Sequence, residues 1–226
     1  MKFLVPVLVI AVGVPVFVLS PSQLRVATQV AWAQVAVSSL PEADPLAATP
    51  EAKALIRAAE GQVGVVTTYD PAYVALEFPG GDVAPDRGVC TDVLIRALRV
   101  AHGIDLQAAV NRDMKANFAK YPANWGLKTT DRNIDHRRVP NLQTFLARMG
   151  AEVTDDFLPG DIVTSLLPGN LPHILIVTGR RGAQDPMIVH NIGAGTRVED
   201  RLFEFPHTGH YRLSPAVLAR IRAVIG

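Results

Sequence analysis

One cysteine, Cys90, stands in a chain of 226 residues. A single thiol excludes an intrachain disulfide framework, and it excludes zinc sites that need paired thiols such as C-x-x-C. Cys90 is therefore either inert packing or the centre of some chemistry. A charge excess is lacking too, since 22 Lys and Arg face 21 Asp and Glu. Setting aside Lys2 and Arg25 in the N-terminal segment leaves 20 basic residues. No footprint for nucleic acid or for an anionic membrane surface follows. No internal repeat is found. Apolar residues make up 49% of the chain, enough for the core of one ordinary domain and cramped for two.

Residues 3–19 hold only apolar or small side chains apart from Pro6 and Pro15, and follow a start whose one charge is Lys2. Such a segment, at a rise of about 1.5 Å per residue, would barely cross a hydrocarbon core of about 30 Å. Two prolines weaken it further. The pattern reads as an export signal. Ala31 and Ala33 offer an A-x-A site, so residues 1–33 are expected to be a signal peptide or an N-terminal anchor, with no stable transmembrane domain. The expected location is the periplasm or cell envelope. Residues 34–48, rich in Pro, Ser and Ala without an apolar period, read as a linker, and 49–226 as the folded unit.

Thr49, Pro50 and Glu51 form a helix start and Gly61 a stop, predicting a helix over 50–60. Val93, Leu94, Ala97, Leu98 and Ala101 recur at helical spacing from Cys90 onward, ending at His102-Gly103. Further helices are predicted over about 105–120, 141–148 and 215–224. The segments 161–167, 173–178 and 187–191 are short, β-branched-rich and bounded by Gly or Pro, which is strand composition. Helices first and a small antiparallel sheet second make an α+β class.

Cys90 sits where a loop turns into a helix. The positive end of the dipole favours thiolate there, and unpaired first-turn amides can donate to an oxyanion. A proton shuttle must come from six histidines. His102 is explained as a helix C-terminal residue, and His207 and His210 fall in a Pro/Gly loop. His173 opens one apolar strand and His190 closes the next. With an even connection around 180–185 they share a face, and directly opposed residues have Cβ atoms about 5 Å apart. The chemical reading is Cys, base and orienting group; the bland reading is two histidines on an ordinary surface hairpin.

Val89-Cys90-Thr91-Asp92, Pro159-Gly160-Asp161 and His173-Ile174-Leu175-Ile176-Val177 together resemble the NlpC-type branch of the papain-like cysteine peptidases. Residues of about 67–213 are similar to a bacterial family named domain of unknown function 1287, through Asp86-Arg87-Gly88-Val89-Cys90-Thr91-Asp92, the stretch 131–141 and His190-Asn191-Ile192-Gly193. The resemblance implies a papain-like fold with Cys90 as nucleophile, His173 as base and His190 as orienting group, with Asn191 competing for the last role. The sequence departs from the NlpC pattern in having Val89 before the cysteine and Thr91-Asp92 after it. The tyrosine that branch places about a dozen residues before the cysteine has only Tyr69 and Tyr73, farther upstream, as counterparts.

Candidate substrate-binding residues are Tyr73, Asp92, Arg137 and Arg138. The stretch 131–138 carries five formal charges, Asp131, Arg132, Asp135, Arg137 and Arg138. It is either a self-paired surface loop or a subsite for carboxylate-rich peptides such as peptidoglycan stems. In the second case Arg137 and Arg138 should be replaceable with little loss of folding. The expected function is an exported hydrolase of an amide bond, with no cofactor. The alternatives are acyl transfer at the same site, a non-catalytic envelope-binding module, and a metal site made of Cys90, His173 and His190.

Overall fold

The structure, a computed structural model, describes residues 20–42, 48–184 and 186–226. The apolar run at 3–19 lies outside them. The first element is helix α1, Pro21–Ser38, started by a reciprocal cap in which Ser20 Oγ accepts the Gln23 amide and the Gln23 side chain accepts the Ser20 amide. Residues 34–38, assigned to a linker by composition, are thus the end of a helix. Cap chemistry upstream and docking downstream override their composition: the Gln34 side-chain amide donates to the carbonyls of Glu60 at 3.1 Å and Val63 at 2.8 Å. Among the described residues no helix is long and apolar enough to cross a membrane.

Helix α2, Pro50–Glu60, begins as its sequence dictates, with Thr49 Oγ1 accepting the Ala52 amide and Pro50 in the first turn. Two residues of β1, Thr68–Tyr69, pair in parallel with β2, Arg87–Gly88. They lead into α3, Cys90–His102, which Gly103 closes at φ 63, a left-handed position open to glycine at little cost. Helix α4, Leu106–Ala116, is capped by Asp105, whose carboxylate accepts the amides of Gln107 and Ala108. The chain then breaks at Asn117 into a 3-10 turn, so the helix predicted to reach residue 120 is shorter. Helix α5 is Val139–Arg148 and helix α6 is Pro215–Ile225.

Between α5 and α6 lie β3 (Ile162–Leu167), β4 (Leu171–Val177), β5 (Ile188–Asn191), β6 (Thr196–Glu199) and β7 (His207–Tyr211). They form one antiparallel sheet in the order β6-β5-β4-β3-β7, and the fold is α+β. Strand β7 was not predicted. Its His207 and His210, read as loop residues, sit on an edge strand, where backbone pairing to β3 is sufficient and side chains stay polar.

Strand alternation divides the interior. Ile174 and Ile176 of β4 join Cys90, Leu94, Leu98 and Phe145 in the principal core against the helices, whereas Leu175 and Val177 join Val163, Ile188 and Leu202 on the other face. Pro159-Gly160-Asp161 is a structural device. Gly160, at φ 91, lies so close to α2 that a Cβ would stand 2.5 Å from that of Ala52. The Asp161 carboxylate accepts from the Leu158 amide, from Arg212 and from His210, tying the start of β3 to the end of β7.

Candidate functional site

Three segments distant in sequence hold the start of α3. Asp92, in its first turn, reaches back to accept the Val89 amide at 2.6 Å. Glycine at 88 leaves room for this, since a Cβ there would lie 3.1 Å from the Asp92 Oδ2. Arg137 grips the same carboxylate with two bonds, Nε to Oδ1 at 3.0 Å and Nη2 to Oδ2 at 2.9 Å, both side chains being buried. Thr91 donates to the Arg137 carbonyl. Asn191 donates to the Gly88 carbonyl at 3.0 Å, so it fastens the loop before Cys90, and among the described residues it makes no hydrogen bond to His173.

The stretch 131–141 is held mostly by its own bonds. The Asp135 carboxylate accepts the Asp131 amide and pairs with Arg138 at 3.0 Å, and the Asn141 side-chain amide donates to the Asp135 carbonyl. Asn133 accepts the Leu76 amide. Tyr73 is engaged by Asp131 and Asn133 and lies outside the cavity next to Cys90.

That cavity, of about 400 Å³, is open to solvent and includes Tyr69, Cys90, Trp125, Arg137, Arg138 and Pro172 in its lining. Arg137 is spent on Asp92. Arg138, paired with Asp135, also lies over Trp125, its guanidinium 4.1 Å from the centre of the ring. Tyr69 and Trp125 were missed in the sequence. Tyr69 was passed over for distance from Cys90 along the chain, but the β1–β2 pairing brings it alongside.

Cys90 is only 5% exposed, at the floor of the cavity. Burial drives its thiol up to about 11, against the pull of amides donated by Ile174, Thr91 and Cys90 itself. The thiolate expected from the helix dipole is therefore not the resting form. Tyr69 is raised to about 12, first by burial and then by Cys90.

Register places His190 opposite Leu175, two residues along from His173 on the same face. The rings still meet. His173 Nε2 lies 2.9 Å from His190 Nδ1, and His190 Nε2 lies 2.8 Å from Glu199 Oε2. No hydrogen bond joins Cys90 to His173 among the described residues; the sulfur is met by the amide of the next residue, Ile174. Among the described residues no group of three or more His, Cys, Asp or Glu is placed to hold a metal ion.

Burial lowers His173 to about 3, with His190 adding to the effect, and lowers His136 to about 4, with Arg137 adding there. Both folded values lie below the unfolded value of about 6.5, so the unfolded chain takes up protons first. The stabilisation is complete above pH 6.5 and is lost as pH falls toward those values. At pH 5 each ring should cost about 2 kcal/mol. Urea unfolding at pH 7 and pH 5 should show the loss; equal midpoints would mean that neither ring is held neutral.

The structure thus defines a single-thiol α+β domain with its cysteine heading a helix at the floor of an open cavity. The chain belongs to the family described as domain of unknown function (DUF1287), which matches residues 56–213. It is 48% identical over 165 residues to the Uncharacterized protein YijF of Escherichia coli (strain K12), covering 70% of this chain and 80% of that one. No solved structure matches it.

Proposed function

We propose that the chain is an exported cysteine hydrolase of NlpC-like, papain-type fold that cleaves an amide bond, with peptidoglycan stem peptides as the substrate class. One observation carries this reading. The cavity-facing sulfur of Cys90 accepts the amide of Ile174, and the residue before that amide is His173. Strand alternation sets the His173 ring on the face of Leu175 and Val177, away from Cys90, so the reading requires the strand end at His173 to turn its ring to the thiol when substrate binds.

The thiol and imidazole rest neutral, so His173 takes the thiol proton as sulfur attacks the acyl carbon. First-turn amides and the Tyr69 hydroxyl face the developing oxyanion. Collapse expels the amine, which leaves with the proton from His173, and a thioester remains. Water then attacks with His173 again as base, and the acid and free thiol are restored. Arg138, stacked on Trp125, would hold a substrate carboxylate.

Stem peptides incubated with the protein should give products carrying one added water, and acid quenching should trap acyl-Cys90 by mass. In the same assay Arg138→Ala should raise KM about tenfold with kcat nearly unchanged. An amide product formed from an added amine would indicate acyl transfer. The absence of all product and all adduct would favour a binding module, a reading suited to a buried neutral thiol without an imidazole bond.

A further inference from the structure

Glu199 was not singled out in the sequence, because β6 was not expected. It ends, partly exposed, a line of three groups, with the buried His190 at its centre and the buried His173 at its head. We infer that Glu199 is a positioning residue that fixes the tautomers of both rings and leaves Nδ1 of His173 as the basic nitrogen. The inference rests on the hydrolase reading only for its catalytic consequence; the hydrogen-bond line stands by itself.

The derivation is a matter of donor and acceptor inventory. An ionised carboxylate can only accept, so His190 must carry its proton on Nε2, the atom 2.8 Å from Glu199. In a neutral ring Nδ1 is then a bare acceptor. His173 Nε2, 2.9 Å away, must therefore be the donor. A neutral His173 protonated on Nε2 keeps its lone pair on Nδ1, the atom left to receive a proton from outside the line. Glu199 is kept ionised chiefly by the His190 bond, with Arg201 at 3.7 Å and further support from Arg197. Arg201 is in turn held by Glu204.

Glutamine is close to glutamate in size, yet its amide can donate as well as accept. In Glu199→Gln the line can run backwards: the amide donates to His190 Nε2, His190 Nδ1–H donates to His173 Nε2, and the proton of His173 moves to Nδ1. Nδ1, the atom left to take the thiol proton, is then already protonated, the tautomer fault that disables a triad when its orienting carboxylate becomes an amide.

The test is nitrogen-15 imidazole NMR on the full chain at neutral pH, with assignment by His173→Asn and His190→Asn. Wild type should show both rings neutral and protonated on Nε2. Glu199→Gln should move His173 toward the Nδ1–H form, and Glu199→Asp should restore part of the wild-type pattern. Where stem peptides are hydrolysed, Glu199→Gln should lower kcat at least about 100-fold with KM little changed. A wild-type His173 carrying its proton on Nδ1, a doubly protonated His190, or tautomers unaltered in Glu199→Gln would overturn the inference. The derived tautomers in a protein that turns over no peptide would uphold the line and remove the hydrolase reading.

Discussion

Replacing Arg137 with alanine should destabilise the fold by about 3–5 kcal/mol, because it leaves the buried Asp92 carboxylate without its bidentate partner. The effect exceeds that of an ordinary surface arginine by several-fold. It also reverses the expectation that Arg137 and Arg138 could both be removed with little loss of folding. Asp92→Ala should be as damaging, since it strands the guanidinium and frees the Val89 amide before Cys90. Replacing both members with apolar residues of similar volume should recover much of the loss. Arg87→Ala, which removes an exposed pair with the partly exposed Asp70, is the control and should move the urea midpoint far less. Equal midpoints for Arg137→Ala and Arg87→Ala would refute the account, as would a double variant no better than either single one.

The sequence discloses chemistry that acts over a few residues. Thr49 and Ser214 cap their helices and Gly103 closes α3 because each device is complete within one turn. The period of two likewise brought His173 and His190 to one face before the register was known, although they are offset by two residues rather than directly opposed. What stayed hidden depends on partners far along the chain. Nothing near Arg137 distinguishes an arginine waiting for substrate from one bonded to Asp92, 45 residues away. Tyr69 looks remote until β1 pairs with β2, and Glu199 has no visible role until β6 pairs with β5. Strand β7 contains His-Thr-Gly-His-Tyr, which carries no strand signal, because an edge strand is specified by its neighbour's free backbone groups.

The thiol itself is the sharpest case. A helix start reads the same in sequence whether solvent reaches it or not, so the dipole alone predicted an acidic cysteine. At a helix terminus that effect is worth about 0.3–1 kcal/mol and reaches about 2 kcal/mol in favourable geometry, whereas full burial shifts ionisable groups by up to about 3–5 pK units. Burial wins at Cys90, which lies near 11. At pH 7 the thiolate fraction should fall roughly 300-fold below that of a free cysteine with a pKa of about 8.5. Iodoacetamide should accordingly label the folded protein slowly at neutral pH, with a rate still rising at pH 10, and label the urea-unfolded chain quickly. His173→Ala should change this resting rate little, because no hydrogen bond joins the ring to the sulfur. An acylating analogue of a stem peptide should behave differently, reacting faster than iodoacetamide by an amount that His173→Ala abolishes, since only a bound acyl group brings the base into play. A folded-state rate that levels off below pH 7 would show instead that the thiolate is already formed, and that the amides around the sulfur outweigh its burial.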